Sequence, residues 1–376
     1  MTEKWRLIEL EAESVAHLNM SVRPAITRTV SEGKAGSTLV IATFEKECVG
    51  ISYYNDAFKD VDIKAARKLG ISFKRGAIGG GGSLYISTGM MFCLLYLDRK
   101  SRLVPQSDEL IIMKVMAGVA DEFSNAFKVP IRFRPLNDGE IWDFKNKIWK
   151  KLIPSSIAGV GDAIIVAVAI QVTPTDVDIA QKVITPPSEK FIDKQVKSVS
   201  ERIGSFETAM EKAPSMDELG KAVRLAVEKN FNVAFYPGEL TPLEKGYSEE
   251  SLQLYDNDKW LYNRSELKFG DIGTEECIGE KIIKVPGGPL LRVTLVRHGD
   301  RLRDILFTGS LHASPNDAFK MLEDLLGGIK LSGENIRAIV EEFYQRDIKT
   351  PMITKEIVSE AILMAAENSR KVANQL

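Results

Sequence analysis

Apolar residues recur along this chain with two different periods, and the switches between them mark its elements. Thr38-Leu39-Val40-Ile41-Ala42-Thr43-Phe44 is rich in β-branched and aromatic residues and predicts a strand. Over 111–127, Ile112, Met116, Val119, Phe123 and Phe127 fall near helical spacing and predict a core-facing helix. Pro130 stops it, and Ile131-Arg132-Phe133-Arg134 alternates as a half-buried strand does. Residues 163–172 form an almost unbroken apolar run, which fits a strand covered on both faces. Ser215-Met216-Asp217-Glu218 is a capping box ahead of an amphipathic helix over 219–229.

The pattern is lost over 237–268, where Pro237-Gly238, Pro242 and Gly246 sit among charged residues with no clear period. Beyond it, 281–285, 290–296 and 302–308 predict strands, joined by Pro286-Gly287-Gly288 and by His298-Gly299-Asp300. Ser314-Pro315 predicts a helix start with proline at the first position, and Gly327-Gly328 its end. Further helices are expected over 332–344 and 354–373. The expected organisation is α+β. A larger domain, 1–245, carries a mixed sheet flanked by helices. A linker, 246–267, leads to a smaller α+β accessory domain, 268–376.

Composition narrows the class. At 376 residues the chain is long enough for about two domains. Its net charge of −2 supplies no global field for nucleic acid or an anionic membrane, so neither is expected as a partner. Cys48, Cys93 and Cys277 lie far apart, with neither metal-ligand spacing nor a disulfide framework. Met1-Thr2-Glu3-Lys4-Trp5 is polar, unlike a signal peptide, and the longest apolar runs are too short for a bilayer. A cytoplasmic protein is the expectation.

The candidate chemistry centres on Lys74-Arg75-Gly76-Ala77-Ile78-Gly79-Gly80-Gly81-Gly82-Ser83-Leu84-Tyr85. Four successive glycines between strand-like stretches suit a loop that approaches another group closely. Backbone N–H groups in such a loop can cradle phosphate or carboxylate oxygens, and Lys74 and Arg75 add positive charge. Three further stretches accompany it: Arg134-Pro135-Leu136-Asn137-Asp138, then Lys151-Leu152-Ile153-Pro154-Ser155-Ser156, then Glu189-Lys190-Phe191-Ile192-Asp193-Lys194 with Ser198-Val199-Ser200-Glu201-Arg202-Ile203. Each has a plainer reading. Lys145, Lys147, Lys150 and Lys151 form a lysine cluster, and Asn137-Asp138-Gly139 is also a turn signature. Lys147-Ile148 offers a second register for the lysine motif.

Taken in order, these stretches resemble the lipoate–protein ligase family, within the biotin/lipoate ligase fold. Val285-Pro286-Gly287-Gly288 and Asp304-Ile305-Leu306-Phe307-Thr308-Gly309 resemble its accessory domain. The resemblance implies joining of lipoate or octanoate to ATP, with Mg2+, and transfer of the acyl group to a lysine on a carrier protein or domain. It implies Lys151 as the catalytic cation and Lys74, Arg75, Gly79, Gly80, Gly81, Gly82, Ser83, Asn137 and Asp138 as nucleotide- or acyl-binding residues. It gives no metal ligands. The chain departs from the family pattern at Ile86-Ser87, where His-Asp is usual, and at Pro154, where glycine is usual. Two alternatives stand beside the ligase: a cysteine-dependent octanoyl or lipoyl transferase using Cys48 or Cys93, and a non-catalytic acyl- or carrier-binding homologue. Arg297-His298-Gly299-Asp300 looks like a phosphatase motif but reads as a hairpin turn.

Overall fold

The computed structural model describes residues 2–185 and 203–371. The stretches 189–194 and 198–202 therefore lie outside the described residues. The main sheet has eight strands: β1 (Glu3–Glu13), β2 (Thr38–Phe44), β6 (Met90–Asp98), β7 (Ile131–Arg134), β8 (Asp138–Asp143), β9 (Ile148–Val160), β10 (Ala163–Gln171) and β11 (Val233–Pro237). Their order is β11-β1-β2-β6-β10-β9-β8-β7. Only β11, β1 and β2 run parallel, so the sheet is mixed. Three short strands, β3 (Cys48–Ile51), β4 (Ser72–Arg75) and β5 (Leu84–Ile86), make a second sheet in the order β4-β3-β5.

Both faces of the main sheet are covered, which explains the unbroken apolar run of its inner strand β10. On one face Ile112, Met116, Val119 and Phe123 of helix Asp108–Phe127 share a core with Leu219, Val223 and Phe231 of helix Met216–Phe231. The capping box is present there, with Ser215 and Glu218 satisfying each other's backbone. On the other face Leu18, Val22, Ile26 and Val30 pack against Val40, Leu94 and Ile165.

The stretch that reads as a linker is built structure. Helix Pro242–Tyr255 packs on the segment Leu18–Ser31, and its buried residues are Glu244 and Ser248. A helix that buries polar side chains leaves no apolar stripe, so its period is invisible in sequence. Glu244 is fixed by Arg6 at 2.7 Å and Ser248 by Ser21. Further along, the Leu261 carbonyl accepts from Arg75, while Arg264 pairs with Glu323 in a buried contact. This strap ties the two halves of the chain together.

The last third is a four-stranded antiparallel sheet, ordered β14-β13-β12-β15, formed by β12 (Glu276–Lys284), β13 (Leu290–His298), β14 (Arg301–Gly309) and β15 (Arg370–Lys371). Helices Ala318–Leu326, Gly333–Tyr344 and Lys355–Glu367 build a core with it. Gly299 turns the β13–β14 hairpin with φ of 57°, as the hairpin reading of Arg297-His298-Gly299-Asp300 requires. One expectation fails here. The helix expected from Ser314-Pro315 starts only at Ala318. Ser314 instead exchanges backbone hydrogen bonds with Lys349, and Asn316 N donates to Gly159 O. These groups are committed to other segments and cannot open a helix.

Candidate active site

A cavity of ≈ 270 Å³ opens where the glycine loop, between β4 and β5, faces β9 and β10. Its wall combines apolar side chains (Ile51, Leu84, Ile86, Phe92) with polar ones (Asn19, Arg23, Ser155, Ser156, Lys151). Such a mixture suits a ligand with an apolar body and a few fixed polar groups.

The glycine loop is shaped by its own backbone and by the accessory half. Gly79 and Gly81 hold φ of 107° and 100°, where a side chain is strained. Gly79 N donates to Asn316 Oδ1 and Gly81 N to Leu311 O, both at 2.9 Å. Tyr54, just after β3, buttresses this contact by donating to Asn316 O at 2.7 Å. Two of the loop's donors are thus used by the segment 311–316. The N–H groups of Gly80 and Gly82 donate to no described group.

Lys151 lies on β9, half-buried, with Nζ 2.5 Å from Asp138 Oδ1 on the neighbouring strand β8. Asn137 holds the end of this region by donating from Nδ2 to Ser155 O and accepting from Ser155 Oγ at 2.7 Å. Lys147 sits in an exposed turn with φ of 55°, so the register of the lysine motif that reaches the cavity is the one at Lys151.

His312 stands beside the glycine loop, with Nδ1 3.0 Å from where a Cβ on Gly80 would lie. Burial, with the Lys151 ammonium adding to it and Asp138 opposing, pushes its pKa down to about 4. The imidazole is therefore neutral at pH 7. Between pH 4 and 6.5 the unfolded chain binds a proton that the folded chain does not, so stability falls as pH drops through that window. In urea titrations at pH 7 and pH 5, His312→Asn is expected to lose less stability on acidification than the wild type. An equal loss in both proteins would refute this.

The structure gathers Lys151, Gly79, Gly80, Gly81, Gly82, Ser83 and Asn137 around the cavity, with Asp138 held against Lys151. It places Lys74 and Arg75 elsewhere. Lys74 pairs with Asp256 on the surface at 2.5 Å. Arg75 is fully buried, and its guanidinium donates to the Ser52, Tyr53 and Leu261 carbonyls. It shapes the loop region and does not line the cavity. Leu84 and Ile86 both line the cavity, so the Ile86 departure adds an apolar wall.

Three residues near the site escape a reading of the sequence. Asn19 and Arg23 lie in a stretch whose neighbours are all buried, and nothing local distinguishes them from solvent-facing polar residues. His312 comes from the accessory half, and only the packing of that half onto the glycine loop brings it near.

The catalytic-domain model described as lipoyl protein ligase A/B matches residues 16–228, over half of the chain. An octanoyltransferase LipM of Brevibacillus brevis is 23% identical over 277 residues, spanning 70% of this chain and 100% of that protein. Lipoate-protein ligase A subunit 2 of Thermoplasma acidophilum is 36% identical over 73 residues, 19% of this chain and 76% of that protein. Among solved structures, the bipartite lipoate protein ligase of Thermoplasma acidophilum, described with its E2 lipoyl domain, aligns with a TM-score of 0.58 at 23% identity, covering 69% of this chain and 96% of that one. LipL1 of P. falciparum in complex with lipoate aligns with a TM-score of 0.66 at 13% identity, covering 95% and 97%. The mixed sheet with its antiparallel C-terminal sheet is thus a lipoate-ligase fold, and the chain belongs to the lipoyl protein ligase A/B catalytic domain family.

Proposed function

We propose that this protein is an ATP-dependent ligase that converts a lipoate- or octanoate-like acid to its acyl-adenylate and transfers the acyl group to a carrier-domain lysine. The observation that carries this reading is Lys151 in the cavity wall beside a glycine loop whose Gly80 and Gly82 N–H groups donate to no described group, in a wall with no cysteine among the described residues. In the first step a carboxylate oxygen attacks the α-phosphorus of ATP, and pyrophosphate leaves. In the second the carrier's ε-amine attacks the acyl carbon, AMP leaves, and the amine's proton passes to solvent. Charge on the carboxylate and α-phosphate oxygens grows close to Lys151, and a compact ammonium with three donors suits it. The Gly80 and Gly82 N–H groups add fixed dipoles that need no reorganisation. Asp138 orients the lysine. Mg2+ would accompany the nucleotide. Among the described residues no group of three or more His, Cys, Asp or Glu side chains could hold it, so no residue is assigned to it.

Similarity to octanoyltransferases favours a second reading, acyl transfer through a cysteine thiolate. The thiols argue against it. Cys48 and Cys93 are buried in strands, burial pushes Cys48 up to about 11, and Cys93 is pushed up as well. Buried thiols of raised pKa are inert nucleophiles. Cys277 lies on β12 in the accessory sheet. The test is transfer of acyl groups from acid and ATP to a lipoyl domain by a triple variant, Cys48→Ala, Cys93→Ala and Cys277→Ala. ATP-dependent transfer should persist, with about 1 kcal/mol of stability lost per buried site. Loss of transfer in a folded variant would replace the ligase by the thiolate route. The third possibility, a binder without chemistry, predicts acid binding with no transfer from either protein.

No described helix is long and apolar enough to cross a membrane. The division of labour proposed is that 1–245 binds and activates the acid while 268–376 closes on the glycine loop through Leu311, His312 and Asn316.

A further inference from the structure

The cavity holds a second cation that the ligase chemistry does not use. Arg23 is 8% exposed and lines the cavity, as does Asn19 at 7%. The guanidinium donates from Nη1 to Ile78 O at 2.9 Å, which anchors the approach to the glycine loop. Its Nε has no hydrogen-bond partner, and Asn19 Oδ1 likewise has none. Arg23 forms no ion pair with any described carboxylate; its near neighbour is the Tyr96 hydroxyl, which offsets only part of the burial. By contrast the buried Arg6 and Arg264 each have a carboxylate partner, and the buried Arg75 spreads its donors over three backbone carbonyls. A buried cation without a counter-charge is costly unless something supplies one.

Its position in the cavity matters. Arg23 Nη1 lies 3.4 Å, and Ser156 Oγ 3.9 Å, from where a Cβ on Gly79 would be. Lys151 is five residues earlier on the same strand, β9. Ile86, Phe92 and Ala169 contribute apolar wall to the same cavity. The cavity therefore has a cation at Lys151, a cation at Arg23 and apolar wall alongside.

We propose that the Arg23 end is a subsite for a second anionic group, and that the preferred acid carries a carboxylate at the end of its chain distant from Lys151. Arg23 takes that carboxylate by charge-assisted hydrogen bonds, and the apolar wall takes the methylene chain. This rests on reading the cavity as the acyl-acid site, but it does not need ATP or turnover.

The test is direct calorimetric binding to the full chain, without nucleotide, of octanoate and of octanedioate, its counterpart with a second terminal carboxylate. Wild type should bind octanedioate tighter by roughly tenfold or more, the scale of a charge-assisted hydrogen bond. Arg23→Met, with thermal melting to confirm folding, should bind octanoate at least as tightly as octanedioate. Equal binding by wild type, preference for octanoate, or binding of neither acid overturns the proposal. So does a preference for octanedioate that survives in folded Arg23→Met. Adenylate formed from octanoate with no preference for octanedioate would leave the ligase standing and remove this subsite. Octanedioate binding without adenylate formation would do the reverse.

Discussion

Lys151→Ala is expected to lower adenylate formation by on the order of 10²- to 10³-fold, the scale seen when one fixed donor to developing charge is removed. The loss should appear in kcat, because the ammonium interacts most strongly with charge that develops during attack on the α-phosphorus. Stability should barely change. Lys151 is about one-third exposed and its partner Asp138 about one-quarter, so their ion pair is worth no more than about 1 kcal/mol. Lys151→Arg should recover little, since a planar fork does not replace a compact point charge. Lys150→Ala is the control: its ammonium pairs with Asp143 at 3.0 Å and it does not line the cavity. Steady-state kinetics on the three variants would decide the point. Near-normal turnover by Lys151→Ala would remove Lys151 from the chemistry.

Gly80→Val is expected to be the second severe change. A Cβ at Gly80 would lie 2.1 Å from Leu311 O and 2.9 Å from His312 Cα. Both are backbone atoms, so no side chain can rotate away. Either the glycine loop or the segment 311–316 must move. Gly79 N and Gly81 N donate into that same segment, so their hydrogen bonds are lost together. Overpacking of this kind costs about 1–3 kcal/mol. A displacement near 1 Å at the reacting groups costs on the order of 10²-fold in rate. Urea unfolding and adenylate formation should therefore both suffer. Gly246→Ala, inside helix Pro242–Tyr255 where a Cβ meets nothing within 4 Å, should leave adenylate formation unchanged and raise stability by about 0.5–1 kcal/mol. A fully stable, fully active Gly80→Val would show that the accessory half does not close on the loop as described.

The fold was readable where burial follows a simple period. Strand β10 shows its two covered faces as an apolar run, and helix Met216–Phe231 shows its start as a capping box. The helix Pro242–Tyr255 was not readable because its inward residues, Glu244 and Ser248, are polar and held by Arg6 and Ser21. Ser314-Pro315 misled because proline at a helix start is a local signal, and the backbone there is committed to Lys349 and Gly159. Of the cavity lining, the glycine loop and Lys151 were readable, because residue type and order carry that information. Lys74 and Arg75 are assigned to it by the family resemblance and by adjacency to the glycine run, and neither lines the cavity. Adjacent strand residues point to opposite faces, so at most one of the pair can share an environment with a given neighbour. Here Lys74 faces Asp256 and Arg75 faces the interior. Arg23, Asn19 and His312 come from segments distant in sequence, and only tertiary packing brings them to the glycine loop.

The central claim is that the cavity performs ATP-dependent activation of a carboxylic acid. Its most direct test is mass-spectrometric detection of acyl-adenylate after the full chain is mixed with Mg·ATP and lipoate, octanoate or octanedioate, with no carrier present. The prediction is an adenylate from at least one acid, with matching pyrophosphate, and on the order of 10²- to 10³-fold slower formation by Lys151→Ala. Absence of adenylate from all three acids, with an acyl group found instead on a cysteine after incubation with an acylated carrier, would contradict it.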